Sequence, residues 1–136
     1  MKKLITSTAA ILAAFSLQIS AAELKEAKTA SGLVITKLKD GTGASPKSSD
    51  TDKVHYRGVL ADGKEFDSSY GRGQPATFPL NRVIPCWTEG VQLMKLGGKA
   101  KLVCPPQIAY GSQGMPGVIP PNATLTFEVE LLEIIK

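Results

Sequence analysis

The residue types that usually break or form covalent bonds are scarce in this chain. There is one histidine, His55, and one pair of cysteines, Cys86 and Cys104. A single histidine cannot build a histidine cluster, so metal chemistry is not expected. The cysteines do not form a CxxC pair, which disfavours a thioredoxin-type redox role. "GGKA" from Gly97 lacks the spacing and the Ser/Thr of a phosphate-binding loop. What remains is aromatic and apolar. Tyr56, Phe66, Tyr70, Phe78, Trp87, Tyr110 and Phe127 are spread along the chain, and core packing accounts for most such residues. It does not account for "YGSQGMPGVIPPNATLTF", Tyr110 to Phe127. Loops are ordinarily polar because water satisfies their backbone, yet here Met115, Val118 and Ile119 run into Pro120-Pro121. Nor does it account for "RVIPCW", where Val83 and Ile84 lead directly to Trp87.

The elements that hold these residues follow from periodicity. The start is set apart: "MKK", an apolar run, then "SAA" at Ser20 to Ala22 form a secretory signal pattern, with a cut expected between Ala22 and Glu23. Removing it lowers the formal charge from +4 to +2, too small a charge for a nucleic-acid binder. No other run is long and apolar enough to cross a membrane, and an exported chain with two cysteines is expected to use them in a disulfide. Glu23 to Ser31 reads as a short polar leader. "LVITKLKD" (Leu33 to Asp40), "KVHYRGVL" (Lys53 to Leu60), "KAKLVC" (Lys99 to Cys104) and the run from Thr124 to Leu131 alternate as strands. Asp62-Gly63 marks a hairpin turn, and "FDSSYGRGQP" (Phe66 to Pro75) reads as irregular. "PCWTEGVQLM" (Pro85 to Met94) is the one good helix: Pro85 suits its first turn, Trp87, Val91 and Met94 share a face, and Gly97-Gly98 stops it. A single domain results, an antiparallel sheet with one helix covering one face.

"VHYRGVLADGKEFDSSY", "VIPCWTEGV", "GGKAKLVCPPQIAYG" and "GMPGVIPPNATLTFEVELL" resemble, in order and spacing, the motifs of the FKBP-type peptidyl-prolyl cis–trans isomerases, over about Gly32 to Ile135. The resemblance implies an α+β fold, a twisted antiparallel sheet of about five strands wrapped around one short helix, with a pocket between them. It puts Trp87 on the pocket floor and Tyr56, Phe66, Val83, Ile84 and Phe127 in its walls. Asp67, the Ile84 N–H and the Tyr110 hydroxyl become the polar catalytic groups, Arg72 the partner of Asp67, and Met115, Val118 and Ile119 a flap over the rim. On the residues alone, a turn residue after a hairpin is the favoured reading of Asp67, and the motif match reverses it.

The implied activity is acceleration of X–Pro isomerisation in exported proteins as they fold. Proline-containing polypeptides are the implied substrates and tacrolimus- or rapamycin-like macrolides the inhibitors; no cofactor is implied. A chaperone with little catalysis is the alternative, and a thiol oxidoreductase a third reading. The chain departs from its relatives at Ala76, where many carry a further pocket aromatic, so the pocket is expected to be wider there, with Phe78 two residues on. Cys86 and Cys104 also replace common residues. In the implied fold they face each other across helix and sheet, and a Cys86–Cys104 disulfide is expected. With so short a leader, a monomer is expected, in the periplasm or secreted.

Overall fold

The alternation that ends the chain builds its longest strand. A computed structural model describes residues 25–136; the signal-peptide reading, its cut and the first two leader residues lie outside the described residues. The strands are β1 (Lys25–Lys28), β2 (Val34–Lys39), β3 (Thr51–Val59), β4 (Glu65–Ser68), β5 (Ala76–Pro79), β6 (Lys99–Cys104) and β7 (Leu125–Ile135). The helices are one turn, α1 (Ser69–Arg72), and the covering helix, α2 (Pro85–Gln92). Leu80–Arg82 and Pro106–Ile108 form single 3₁₀ turns.

All strand pairs are antiparallel, in the order β1-β2-β6-β7-β3-β4, with β5 also on β3. The architecture is the expected α+β sheet around a helix, with seven strands where about five were expected. The additions are short edges. β1 arises from the polar leader and pairs with β2 through its backbone. β4 and β5 divide one edge of β3, β5 opposite Thr51 to Val54 and β4 opposite Arg57 to Val59. Between them, the edge is closed by a side chain. Ser69 Oγ accepts the Tyr56 N–H at 2.7 Å and lies 3.3 Å from the Tyr56 carbonyl.

One face of the sheet carries Ile35, Val54, Tyr56, Ala100, Leu102, Cys104, Leu125, Phe127, Val129 and Leu131 into the core against Cys86, Trp87 and Val91 of α2. Successive strand residues point to opposite faces, so the charged residues between them share the outer face. There Lys99 stands opposite Glu130 and Glu130 opposite His55, while Lys101 stands opposite Glu128 and Glu128 opposite Arg57. Facing pairs of opposite sign favour this register. A Cys86–Cys104 disulfide, Cα atoms 5.8 Å apart, ties the first turn of α2 to the end of β6, as expected. No described helix is long and apolar enough to cross a membrane.

Candidate active site

Trp87 sits where α2 meets the sheet, 4% exposed. Tyr56 of β3, Phe78 of β5 and Phe127 of β7 each meet its ring nearly edge-on, at centroid separations of 5.2, 5.5 and 5.4 Å. Edge-to-face contacts at this range are the favoured aromatic geometry. Phe66 extends the wall from β4, 5.6 Å from Phe127. Above this floor opens a cavity of about 440 Å³, completed by Asp67, Arg82, Val83, Ile84 and Tyr110. A cleft of about 230 Å³ elsewhere, lined by Lys37, Lys39, Lys95 and Lys99, has neither aromatic lining nor a buried polar side chain without a partner.

The polar groups are placed by local chain geometry. "DSSYGRG", read from sequence as irregular, encodes the single turn α1. Ser68 caps it by accepting the Gly71 N–H at 3.3 Å, and Gly73 ends it at φ 75°. Glycine adopts that left-handed conformation without a Cβ clash. The turn carries Arg72 back over Asp67. Arg72 Nη1 donates to Asp67 Oδ1 at 2.6 Å and Nη2 to the Tyr56 hydroxyl at 3.1 Å; that hydroxyl donates to Asp67 Oδ2 at 2.5 Å. The Ser68 N–H also donates to Oδ1. Burial raises the Asp67 pKa, but the Tyr56 hydroxyl and the Arg72 guanidinium outweigh it and hold the carboxyl below its ordinary value. Asp67 is thus a fixed anion with both oxygens occupied.

Three donors of the cavity, by contrast, are uncommitted among the described residues: the Ile84 N–H, the Tyr110 hydroxyl and the buried Trp87 indole N–H. The Ile84 N–H precedes the first turn of α2, where helix N–H groups have no intrahelical acceptor, and it has no acceptor among the described residues. The Tyr110 hydroxyl likewise bonds nothing among them. Burial, then the Asp67 charge, raise its pKa, so it stays protonated as a donor.

The structure therefore brings Tyr56, Phe66, Asp67, Val83, Ile84, Trp87, Tyr110 and Phe127 around one cavity, with Arg72 behind Asp67. Val118 and Ile119 are not among its lining. Val118 is exposed, while Ile119 is 3% exposed and belongs to the core. Met115 and Ile119 bond each other's backbones, closing the flap into a tight loop. Phe78 and Arg82 join the lining without having been picked out as site residues. Phe78 has a signal, since it shares the inward parity of Ala76 on β5; its ring stands on the side where Ala76 left the pocket expected to be wider. Arg82 stands on a 3₁₀ turn and has none.

A sheet curled on one helix around this aromatic cavity is the arrangement of the FKBP class. Residues 43–132 match the family model described as FKBP-type peptidyl-prolyl cis-trans isomerase, and the chain belongs to that family. It is 57% identical over 114 residues to the FKBP-type peptidyl-prolyl cis-trans isomerase FkpA of Escherichia coli strain K12, covering 83% of this chain and 42% of FkpA. The crystal structure of FkpA from Escherichia coli matches with a TM-score of 0.79 at 54% identity, over 81% of this chain and 51% of that one. FK506-binding protein 1A of Emericella nidulans is 53% identical over 108 residues, 76% of this chain and 98% of the fungal protein. The chain thus spans about half the length of FkpA.

Proposed function

We propose that this protein is a peptidyl-prolyl cis–trans isomerase acting on exported polypeptides as they fold. The observation that carries the reading is the pairing of a Trp87-floored aromatic cavity with two uncommitted donors at its mouth, the Ile84 N–H and the Tyr110 hydroxyl. Rotation about a peptide bond costs about 18–20 kcal/mol because resonance holds it planar, and for X–Pro it takes tens to hundreds of seconds. Twisting the amide reduces its charge separation. A dry apolar cavity that holds the proline ring therefore favours the twisted over the planar amide. In this reading Tyr56, Phe66, Trp87 and Phe127 hold the ring, the Ile84 N–H and Tyr110 O–H fix flanking carbonyls, and Asp67 lies beside the twisting one. Val118 meets the substrate from the flap, and Ile119 supports it from beneath. Each ~1.4 kcal/mol of differential binding gives about tenfold in rate.

The same cavity is proposed to take tacrolimus-like macrolides; the fungal relative is named for binding FK506. Export to the periplasm or beyond is supported by the N-terminal signal pattern and by the disulfide. A monomer is proposed.

The test is the rate of cis-to-trans isomerisation in a four-residue X–Pro peptide with and without tacrolimus. Acceleration that tacrolimus abolishes is expected. Tyr110→Phe and Asp67→Leu are expected to cut kcat/KM about tenfold or more while unfolded chains still bind. No acceleration with tacrolimus still bound would overturn the isomerase in favour of a peptide-binding chaperone.

A further inference from the structure

The aromatic cavity has an open neighbour across one of its walls. Val83 forms a wall of the cavity and also of an open groove of about 700 Å³ that runs along the outer side of α2. Two segments interleave the spaces. In the first, Ile84 faces the cavity and Pro85 the groove, with Val83 in both. In the second, Tyr110 faces the cavity and Ile108 the groove. The Ile84 N–H, uncommitted among the described residues, lies at this crossing. Cavity and groove therefore adjoin at Val83.

The groove floor is apolar: Val83, Pro85, Leu93 and Ile108, with Leu93 42% exposed. Four of its five polar side chains bond within the chain, and the fifth, Asn81, has no side-chain partner among the described residues. Thr88 Oγ1 donates to the Leu80 carbonyl at 2.7 Å, Gln92 Nε2 to the Thr88 carbonyl at 2.8 Å, and Ser31 Oγ to Glu89 Oε1 at 2.5 Å. Apart from the Asn81 amide, a ligand there has few hydrogen bonds to gain, and it gains most from burying an apolar side chain. The Glu89 carboxylate on the rim disfavours an acidic one.

We infer that this groove is an extended substrate subsite. It takes an apolar side chain of the polypeptide a few residues from the proline and disfavours an acidic one. The inference rests on the isomerase reading, which supplies the substrate that fills the cavity. An extended chain advances about 3.3 Å per residue, so a four-residue peptide fills the cavity alone and a longer one enters the groove.

The test compares kcat/KM for a four-residue X–Pro peptide with that for the same peptide lengthened by four residues at either end, carrying one leucine or one aspartate. For the wild type, a leucine extension at one end is expected to raise kcat/KM about five- to tenfold, within what partial burial of one leucine supplies; aspartate is expected to give no gain. Leu93→Gln lies outside the cavity. It is expected to bring the ratio of long to short peptide back toward one and leave the four-residue peptide unchanged. Leu93→Phe is expected to keep the leucine advantage. A leucine advantage that survives Leu93→Gln would overturn the subsite, as would no advantage in the wild type. A fall in both peptides together leaves the ratio intact and would also overturn it. Failure of the wild type to accelerate even the short peptide would overturn the isomerase reading, and this one with it.

Discussion

At the scale of single residues, one buried carboxyl stands apart from the site. Asp52 is fully buried on the inward side of β3, opposite Phe78 of β5 and Ile134 of β7, and neither of its oxygens has a hydrogen-bond partner among the described residues. Burial, together with the nearby Asp50 charge, raises its pKa to about 6, from an ordinary 3.8. Because the folded value is the higher one, the native state binds the proton more tightly than the unfolded chain. Stability is therefore lost as pH rises from about 4 through 6, by up to roughly 3 kcal/mol. Asp52→Val removes that penalty and fills an apolar site. Thermal melts should show the variant more stable than the wild type at pH 7.5, by several degrees. The gap should narrow steadily as pH falls toward 4; a gap that is constant with pH would contradict the assignment. Nothing in the sequence distinguishes Asp52 from Asp50, whose carboxyl accepts the Lys47 N–H and lies 3.5 Å from Lys136 Nζ. Parity puts Asp52 on one face with Val54 and Tyr56, but Asp50 has the same parity.

At the scale of elements, what was legible had repeated for several residues. The β6 alternation gives Lys99–Cys104 without error, and Pro85 fixes the start of α2. Two of the short elements were not legible. The Lys25–Lys28 run "KEAK" has no apolar face, because an edge strand is held by backbone pairing rather than by burial. The α1 turn is shorter than the repeat that would reveal it, although its Ser68 cap and Gly73 stop are written in the residues. In the site, the motif residues were legible and the flap was not. Val118 and Ile119 are adjacent and equally apolar, yet one is exposed and one buried.

The aromatic wall depends on an absence in β3. A Cβ on Gly58 would lie 2.6 Å from Phe66 Cζ and 2.8 Å from Phe127 Cε1. Gly58→Ala must therefore displace both rings, and through Phe127 the contact with Trp87. We expect a loss of about 1–3 kcal/mol of stability, the usual cost of overpacking, with a larger proportional loss of kcat/KM. Unchanged kinetics in a destabilised protein would show that the wall tolerates the shift.

At the scale of the whole molecule, the helix and the sheet that form the cavity are joined covalently as well as by packing. In the chain-entropy view a disulfide closing a loop of this size contributes about 3 kcal/mol. Denaturant melts with and without reductant should differ by about that amount; coincident melts would remove the bond from the account of stability. The bond also has a topological consequence. From Cys86 to Cys104 the backbone is a closed ring, which contains all of α2 beyond its first residue and all of β6. Lys95 is exposed on the turn between them. A protease that cuts there opens the ring but severs no piece, so mass on a non-reducing gel stays whole until reductant parts the fragments. The connectivity of the cavity outlasts that of the backbone around it.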